Sequence, residues 1–296
     1  LIWPIIFFFY FWQYHRDKVD ELRTAMANEM EMQIRANQQL AAYRKRDLLH
    51  QFFRLFIERE EIVQGIQLYK YSLKKNSKEI VVRVEHVNGH VHEGVQLNSL
   101  EQIYYYLDKQ LYKDFIAAKA RLDKSNKIDP LIYFVMKHQS RFTGINPNQQ
   151  ISEYEATQFS VLQLAVDLIE EWFSEQYGHP IGLLIGLPQE TWIKLNEAKR
   201  TGILRAILLQ KGYYRFSHAG DGEKKGRLYL ASHIFLWELN HVFLITMDPD
   251  VLEEETAHEE LDKLQNRFKM GLYKFLSVEY NEEKDAEEGD LPEQAK

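Results

Sequence analysis

Residues Ser152 to Pro180 read SEYEATQFSVLQLAVDLIEEWFSEQYGHP, and the rest of the chain arranges itself on either side of them. Ser152-Glu153-Tyr154-Glu155 is a capping box, in which the Ser oxygen takes one orphan helix N–H and the Glu reaches back to another. Gly178 and Pro180 stop the helix. Between these ends Gln163, Asp167, Glu170, Glu171 and Ser174 form one narrow polar stripe. Val161, Leu162, Leu164, Ala165, Val166, Leu168, Ile169, Trp172 and Phe173 cover the remaining circumference. A helix this apolar must bury more than one face. Strand-like sequence lies before and after it, so it reads as a spine shared by two α/β units.

The chain has 296 residues, 45% of them hydrophobic, and a formal net charge of −7. That length suits one large or two medium domains with appendages. The mild negative charge argues against non-specific DNA binding, and no nucleic-acid partner is expected. With no cysteine there can be no disulfide and no thiol catalysis, which fits a reducing compartment.

Leu1 to Trp12 reads LIWPIIFFFYFW, and the chain opens on Leu rather than Met. Twelve residues fall short of the about 20 that span a bilayer. With Trp12 and Tyr14 at an interface and Arg16, Lys18 and Arg23 beyond it, residues 1–14 read as the end of a transmembrane helix. The basic residues would place the bulk of the chain in the cytoplasm. Residues 15–62 lack Gly and Pro and are rich in helix formers. Val19, Leu22, Met26, Met30 and Ile34 recur at three or four, as in a short coiled coil or in a helix packed on its own domain.

After Gly65 the period becomes that of strands. Ile66–Leu73 alternates, and Ile80–Val87 and His90–Leu97 flank Asn88-Gly89, the signal of a two-residue hairpin turn. That register sets Glu85 opposite His92. Ser99–Leu122 reads as a helix, Leu131–Met136 as a short buried strand, and Arg141–Gln150 as a loop. Beyond the spine, Ile181–Leu187 reads as a strand and Gln189–Gln210 as a helix. Tyr213–His218, Arg227–Leu236 and His241–Met247 read as strands, and Glu253–Val278 as an amphipathic helix. The acidic tail 279–296 should be disordered.

Each half runs helix, strands, helix, strands, closing helix, and over Leu40–Tyr280 this order resembles tandem GAF-type or PAS-type sensor domains. The expected fold is α+β: a membrane anchor and long helix, then two small units with mainly antiparallel sheets sharing a central helix. The expected division is anchor 1–14, long helix 15–62, first unit 63–151, linking helix 152–180, second GAF-like unit 181–278 and tail 279–296. The resemblance implies a small-molecule-binding or dimerising module on the cytoplasmic side of a membrane.

Three constellations could carry chemistry. His90 and His92, with Glu85, have ligand types suited to zinc or iron, but no fourth ligand is evident and no metal is expected. The loop Gly220–Gly226 sets three glycines beside Lys224, Lys225 and Arg227, and could touch a phosphate, although it lacks the Walker spacing. Lys194, Lys199, Arg200 and Arg205 read as a solvated face that could extend such a patch. His218, Asp221, His233 and His241, with Ser217 or Ser232, allow a triad on paper without a nucleophile elbow. Aromatic residues of the second unit either line a pocket or fill a core. The ligand-binding candidates are Trp192, Arg200, Tyr214, Phe216, His218, Lys224, Arg227, Tyr229 and His233.

The sequence therefore points to a membrane-anchored cytoplasmic sensor or regulator that binds a ligand or partner without catalysis and without a cofactor. Its partners would be the membrane, a second copy or the other subunits of a membrane complex, and a small molecule or nucleotide. A docking subunit of a membrane assembly, and a metal- or nucleotide-dependent enzyme at the second unit, are the alternatives.

Overall fold

The computed structural model describes residues 2–92, 102–143, 145, 151–182, 191, 195, 201–217, 227–248 and 257–276. It divides into two compact units, Leu1–Leu49 and His50–Lys296. The first is helical throughout its described length. It is the greater part of α1, Ile2–Arg59, whose last turns belong to the second unit. Short-range ion pairs such as Lys18–Glu21 at 2.7 Å and Arg35–Glu31 at 2.6 Å line its surface. Val19, Leu22, Met26, Met30 and Ile34 are exposed on it.

The second unit is built on one six-stranded antiparallel sheet. Its strands are β1 (Val63–Lys75), β2 (Glu79–Val91), β3 (Gln102–Asp108), β4 (Tyr214–Ser217), β5 (Leu228–Leu236) and β6 (Leu239–Met247). Their order across the sheet is β3-β2-β1-β6-β5-β4. The helices are α2 (Lys109–Ser125), α3 (Asp129–His138), α4 (Glu153–Tyr177), α5 (Gly202–Leu209) and α6 (Ala257–Leu276). Strand β1 pairs with β6 over Val63–Lys70, so the two halves of the sequence share one sheet. Tandem GAF-type or PAS-type units, each with its own sheet, are thereby excluded, and so is the two-unit α+β fold expected above.

Alternation sorts the side chains to the two faces. Tyr69, Tyr71, Val82, Val84, Tyr105, Leu107, Val242 and Leu244 face the layer made by α2, α3, α4 and α5. Ile66, Leu68, Phe243 and Ile245 alternate to the other side. There Phe268 of α6 packs on Phe243, with ring centroids 4.4 Å apart, and on Phe52, Phe53 and Phe56 of α1. Burying each such side chain stabilises the fold by about 1.5–3 kcal/mol. This is the ordinary economy of a sheet covered on both faces.

The capping box forms: Glu155 N donates to Ser152 Oγ at 3.1 Å and Ser152 N to Glu155 Oε2 at 2.9 Å, while Gly178 closes α4 at φ 79°. The apolar girth of α4 has a different cause from the one expected. It does not divide two sheets. It lies on one sheet, between α2 and α3 on one side and α5 on the other, so helical neighbours bury most of its circumference.

Asn88-Gly89 is not a hairpin turn. Both residues lie inside β2, opposite Leu68 and Gln67, next to a bulge at Leu68/Tyr69. The Asn88 carboxamide accepts from Gly89 N at 2.7 Å. A Cβ at Gly89 would sit 3.0 Å from the Ile66 carbonyl oxygen, so glycine is needed for strand approach rather than for a turn. The hairpin lies earlier, at the turn between Lys75 and Glu79. Residues 102–108, expected as helix, form β3, because Tyr105 and Leu107 reach the core from alternate positions. Residues 131–136, expected as strand, form α3, with Pro130 in its first turn where a missing N–H is harmless. Ile181 and Gly182, expected to open a strand, instead donate their backbone N–H groups to Glu170 Oε2; the rest of that expected strand to Leu187, most of the helix Gln189–Gln210, the glycine-rich loop and the tail 279–296 lie outside the described residues.

The membrane reading is also corrected. Among the described residues, no helix is long and apolar enough to cross a membrane. The anchor at 1–14, the membrane and membrane-complex partners and the membrane-anchored cytoplasmic localisation are withdrawn with it. The coiled-coil alternative for residues 15–62 is withdrawn as well: Phe52, Phe53, Phe56 and Ile57, at the end of α1, are buried within the second unit, so the last turns of the helix pack on their own domain. Excluding nucleic acid by net charge does not stand either. Lys74, Lys75 and Lys78 are exposed at the β1–β2 turn, and Lys109 Nζ donates to the carbonyls of Asn76 and Ser77 there. A local basic end coexists with the overall −7.

Candidate functional site

The polar stripe of α4 forms the wall of a cleft. It opens at the β4 edge of the sheet, where α4, the segment entering β4 and the first turns of α6 meet. Its volume is about 470 Å³. Leu164 and Leu168 of α4 and Leu209 of α5 supply the apolar part of the lining. Asp167 and Glu171, four residues apart and hence one turn apart on the same helix face, supply carboxylates. Tyr213 comes from the segment entering β4, Tyr214 from β4 itself, and His258 and Asp262 from α6.

Behind Asp167 runs a partly buried chain of hydrogen bonds. Gln163 Nε2 donates to Asp167 Oδ1 at 2.6 Å, and the Tyr214 hydroxyl donates to Asp167 Oδ2 at 2.8 Å. Arg205 of α5, only 7% exposed, donates through Nη1 to the Tyr214 oxygen and stands over the Tyr214 ring. Burial holds the Asp167 carboxyl above the usual aspartate range, opposed first by the Arg205 charge and then by its two hydrogen bonds. Burial likewise pushes the Tyr214 hydroxyl up. Arg205 and Asp167 thus act on one another across the Tyr214 phenol that each of them meets. Arg205, expected on a solvated face, is in the core because all of α5 from Gly202 to Leu208 is buried.

The mouth is acidic on the α4 side. The Glu171 carboxyl is held above its usual range by the protein crowding its head and then by Glu175, with Asp167 and Asp262 adding to the effect. Across the cleft Tyr213 Oη lies 2.7 Å from His258 Nδ1, and His258 Nε2 is 3.6 Å from Asp262 Oδ2. Burial first, then Asp262, push the Tyr213 hydroxyl up to about 12. Lys211 and Arg215 are exposed at the rim.

Of the nine ligand-binding candidates, Tyr214 alone among those described lines this cleft. Phe216 stacks on Tyr229 with centroids 5.1 Å apart, and a Cβ at Gly202 would overlap the Phe216 ring, so both aromatics are core. His233 is buried beside Tyr71 and within 3.2 Å of Asn240 Oδ1. Arg227 is partly buried before β5. Trp192, Arg200, His218 and Lys224 lie outside the described side chains. The paper triad dissolves where it can be seen. His233 and His241 lie on opposite faces of the sheet, and Ser232 Oγ donates to the Gly212 carbonyl at 2.6 Å. The residues with ligand types suited to a metal lie apart: Glu85 is opposite Gln102 and Lys70 in the sheet, and the His90 ring meets His50 of α1 at 4.9 Å. Among the described residues no group of three or more His, Asp or Glu could hold a metal ion.

Asp167 and Glu171 were visible in the sequence as a stripe, but a stripe is most often solvated. His258 and Asp262 carried no local signal, since they join the site only through the docking of α6.

No protein-family model matches the chain, and no curated protein matches it. Solved structures with some likeness include an assigned transcriptional regulator from Rhodococcus sp. RHA1, 9% identical, over 82% of this chain and 75% of that one, with a TM-score of 0.32. An IclR-family transcriptional regulator from Brucella abortus is 9% identical over 75% and 60%, with a TM-score of 0.30. IclR of Thermotoga maritima is 12% identical over 79% and 68%, with a TM-score of 0.28. Nothing about this chain's fold, role or partners follows from similarity at this level.

Proposed function

We propose that this chain is a regulatory binding protein that takes a small polar molecule in the cleft at the β4 edge and does no chemistry on it. The observation that carries this is the cleft itself: about 470 Å³, part apolar and part charged, backed by the Asp167–Tyr214–Arg205 chain. Concave sites with an apolar wall and a few convergent polar groups are where small ligands bind. Occupancy has a route into the fold. Asp167 and Glu171 stand on α4, which packs on α2, α3, α5 and the sheet, and His258 and Asp262 stand on α6, which covers the opposite sheet face.

The test is a thermal-shift and calorimetric survey of charged and neutral small metabolites against the intact chain and against Leu168→Trp, which fills the cleft from its partly buried wall. A ligand present at 100 times its Kd should stabilise the fold by about 2.7 kcal/mol. The expected result is a stabilising compound whose effect disappears in Leu168→Trp. Stabilisation that survives Leu168→Trp, or silence across the whole survey, overturns the proposal.

A further inference from the structure

The cleft opens at the β4 edge of the sheet; at the opposite edge, we propose, the outer face of β3 and β2 docks single-stranded RNA. Tyr105 and Leu107 point into the core, so alternation turns Tyr104 and Tyr106 to the other face of β3. There the two tyrosines are 40% and 44% exposed. Register lays their neighbours beside them in rows: Tyr106, Val81 and Lys74 in one, and Tyr104, Arg83 and Ser72 in the next. Arg83, Ser72 and Lys74 are exposed too. The edge itself is closed to a further strand, because the Gln158 carboxamide donates to Tyr106 O at 2.6 Å and accepts from Asp108 N at 2.8 Å. A partner therefore approaches over the face.

Two independent observations make that partner a nucleic acid strand. The first is the pair of rings. Two residues apart on one strand is roughly 7 Å, so adjacent unpaired bases can each stack on a tyrosine. A duplex keeps its bases stacked on one another and has no use for the rings. The second is charge. Lys74 and Lys78 form no ion pair with a described residue, and Lys109 Nζ donates to the neutral carbonyls of Asn76 and Ser77, so its charge is not cancelled. Of the carboxylates nearby, Asp108 caps α2 through Leu111 N and lies 3.4 Å from Arg141, and Glu85 is paired with Arg83. Glu79 alone at this turn stands against the three lysines among the described residues. A chain of net charge −7 thus carries a positive end beside the Tyr106 row, which suits a phosphate backbone. Ser72 and Gln102 share the face and can hydrogen-bond a 2′-hydroxyl, the group that distinguishes RNA from DNA.

Fluorescence anisotropy on the intact chain tests this, with labelled oligouridylate, oligothymidylate of the same length and an RNA duplex as probes. Oligouridylate should bind more tightly than either. Tyr104→Ile and Tyr106→Ile remove a ring yet keep a good strand former, and each should weaken oligouridylate about fivefold or more. The Phe variants should retain binding, and thermal unfolding should show all four folded. Lys74→Ala should flatten the dependence of log K on log salt by about 0.7. No binding of oligouridylate overturns the proposal. So does equal binding of oligothymidylate or duplex, or binding unchanged in both Ile variants. Displacement by polyglutamate as readily as by unlabelled oligouridylate makes the face a general polyanion site and overturns it as well. None of these results bears on the cleft, which lies at the other edge of the sheet.

Discussion

Removing the Asp167 carboxylate should expose how much of the fold hangs on one buried pair of charges. In Asp167→Asn the Tyr214 hydroxyl and the Gln163 amide keep an oxygen to meet, yet Arg205, 7% exposed, loses the carboxylate charge that acts on it across Tyr214. Taking one partner from a buried charge pair typically costs about 3–5 kcal/mol. Arg205→Met leaves the complementary problem, an enclosed Asp167 whose carboxyl is already pushed up by burial, and should cost a similar amount. The double variant Asp167→Asn/Arg205→Met removes both charges of the pair. Its loss should fall well short of the sum, with a coupling energy of about 2–3 kcal/mol. Urea unfolding of the four proteins measures this from the midpoints and slopes. A whole domain holds only about 5–15 kcal/mol, so each single variant should be visibly marginal. Additivity within about 0.5 kcal/mol would refute the pairing through Tyr214.

Two further outcomes follow from the burial pattern. His241 is 2% exposed with Nδ1 2.9 Å from the Leu239 carbonyl, and burial drives its pKa down from 6.5 to about 4. A depressed folded pKa gives stability that is present above the unfolded value and lost as pH falls. Chemical unfolding between pH 7 and 4 should therefore show a loss of about 3 kcal/mol from this residue, absent in His241→Asn. A pH profile unchanged by His241→Asn would refute it. Ile169, fully buried in α4, should cost about 2–5 kcal/mol as Ala, whereas Leu168, partly buried at the cleft wall, should cost less. Hydrogen exchange in both variants should show protection falling across β1 and β6 together, since these strands form one ladder. A loss confined to the residues of one sequence half would restore the two-unit reading.

The chain's local grammar is written within a few residues at a time, and at that range sequence and structure agree. The Ser152–Glu155 box, the Gly178 stop and the amphipathic period of α6 each involve contacts three or four residues apart, and the flanking residues suffice to specify them. What the sequence left open is pairing at a distance. The contact between Gln64 and Asp248 spans 184 residues, and nothing near either one announces it. That β1–β6 seam turned two expected units into one sheet. Asn88-Gly89, for its part, pairs along β1 opposite Leu68 and Gln67, which overrode a strong hairpin signal. The site follows the same rule. The stripe Gln163, Asp167, Glu171 could be read from helical period alone, but whether a stripe meets water or walls a cleft depends on what packs beside it. Arg205 looked like surface in a run of basic residues, and only the burial of α5 against α4 and the sheet made it the hidden counter-charge of Asp167. Tertiary packing decided the site because charge, burial and neighbours are set by elements remote in sequence, while helix and strand propensity is set by the residues next door.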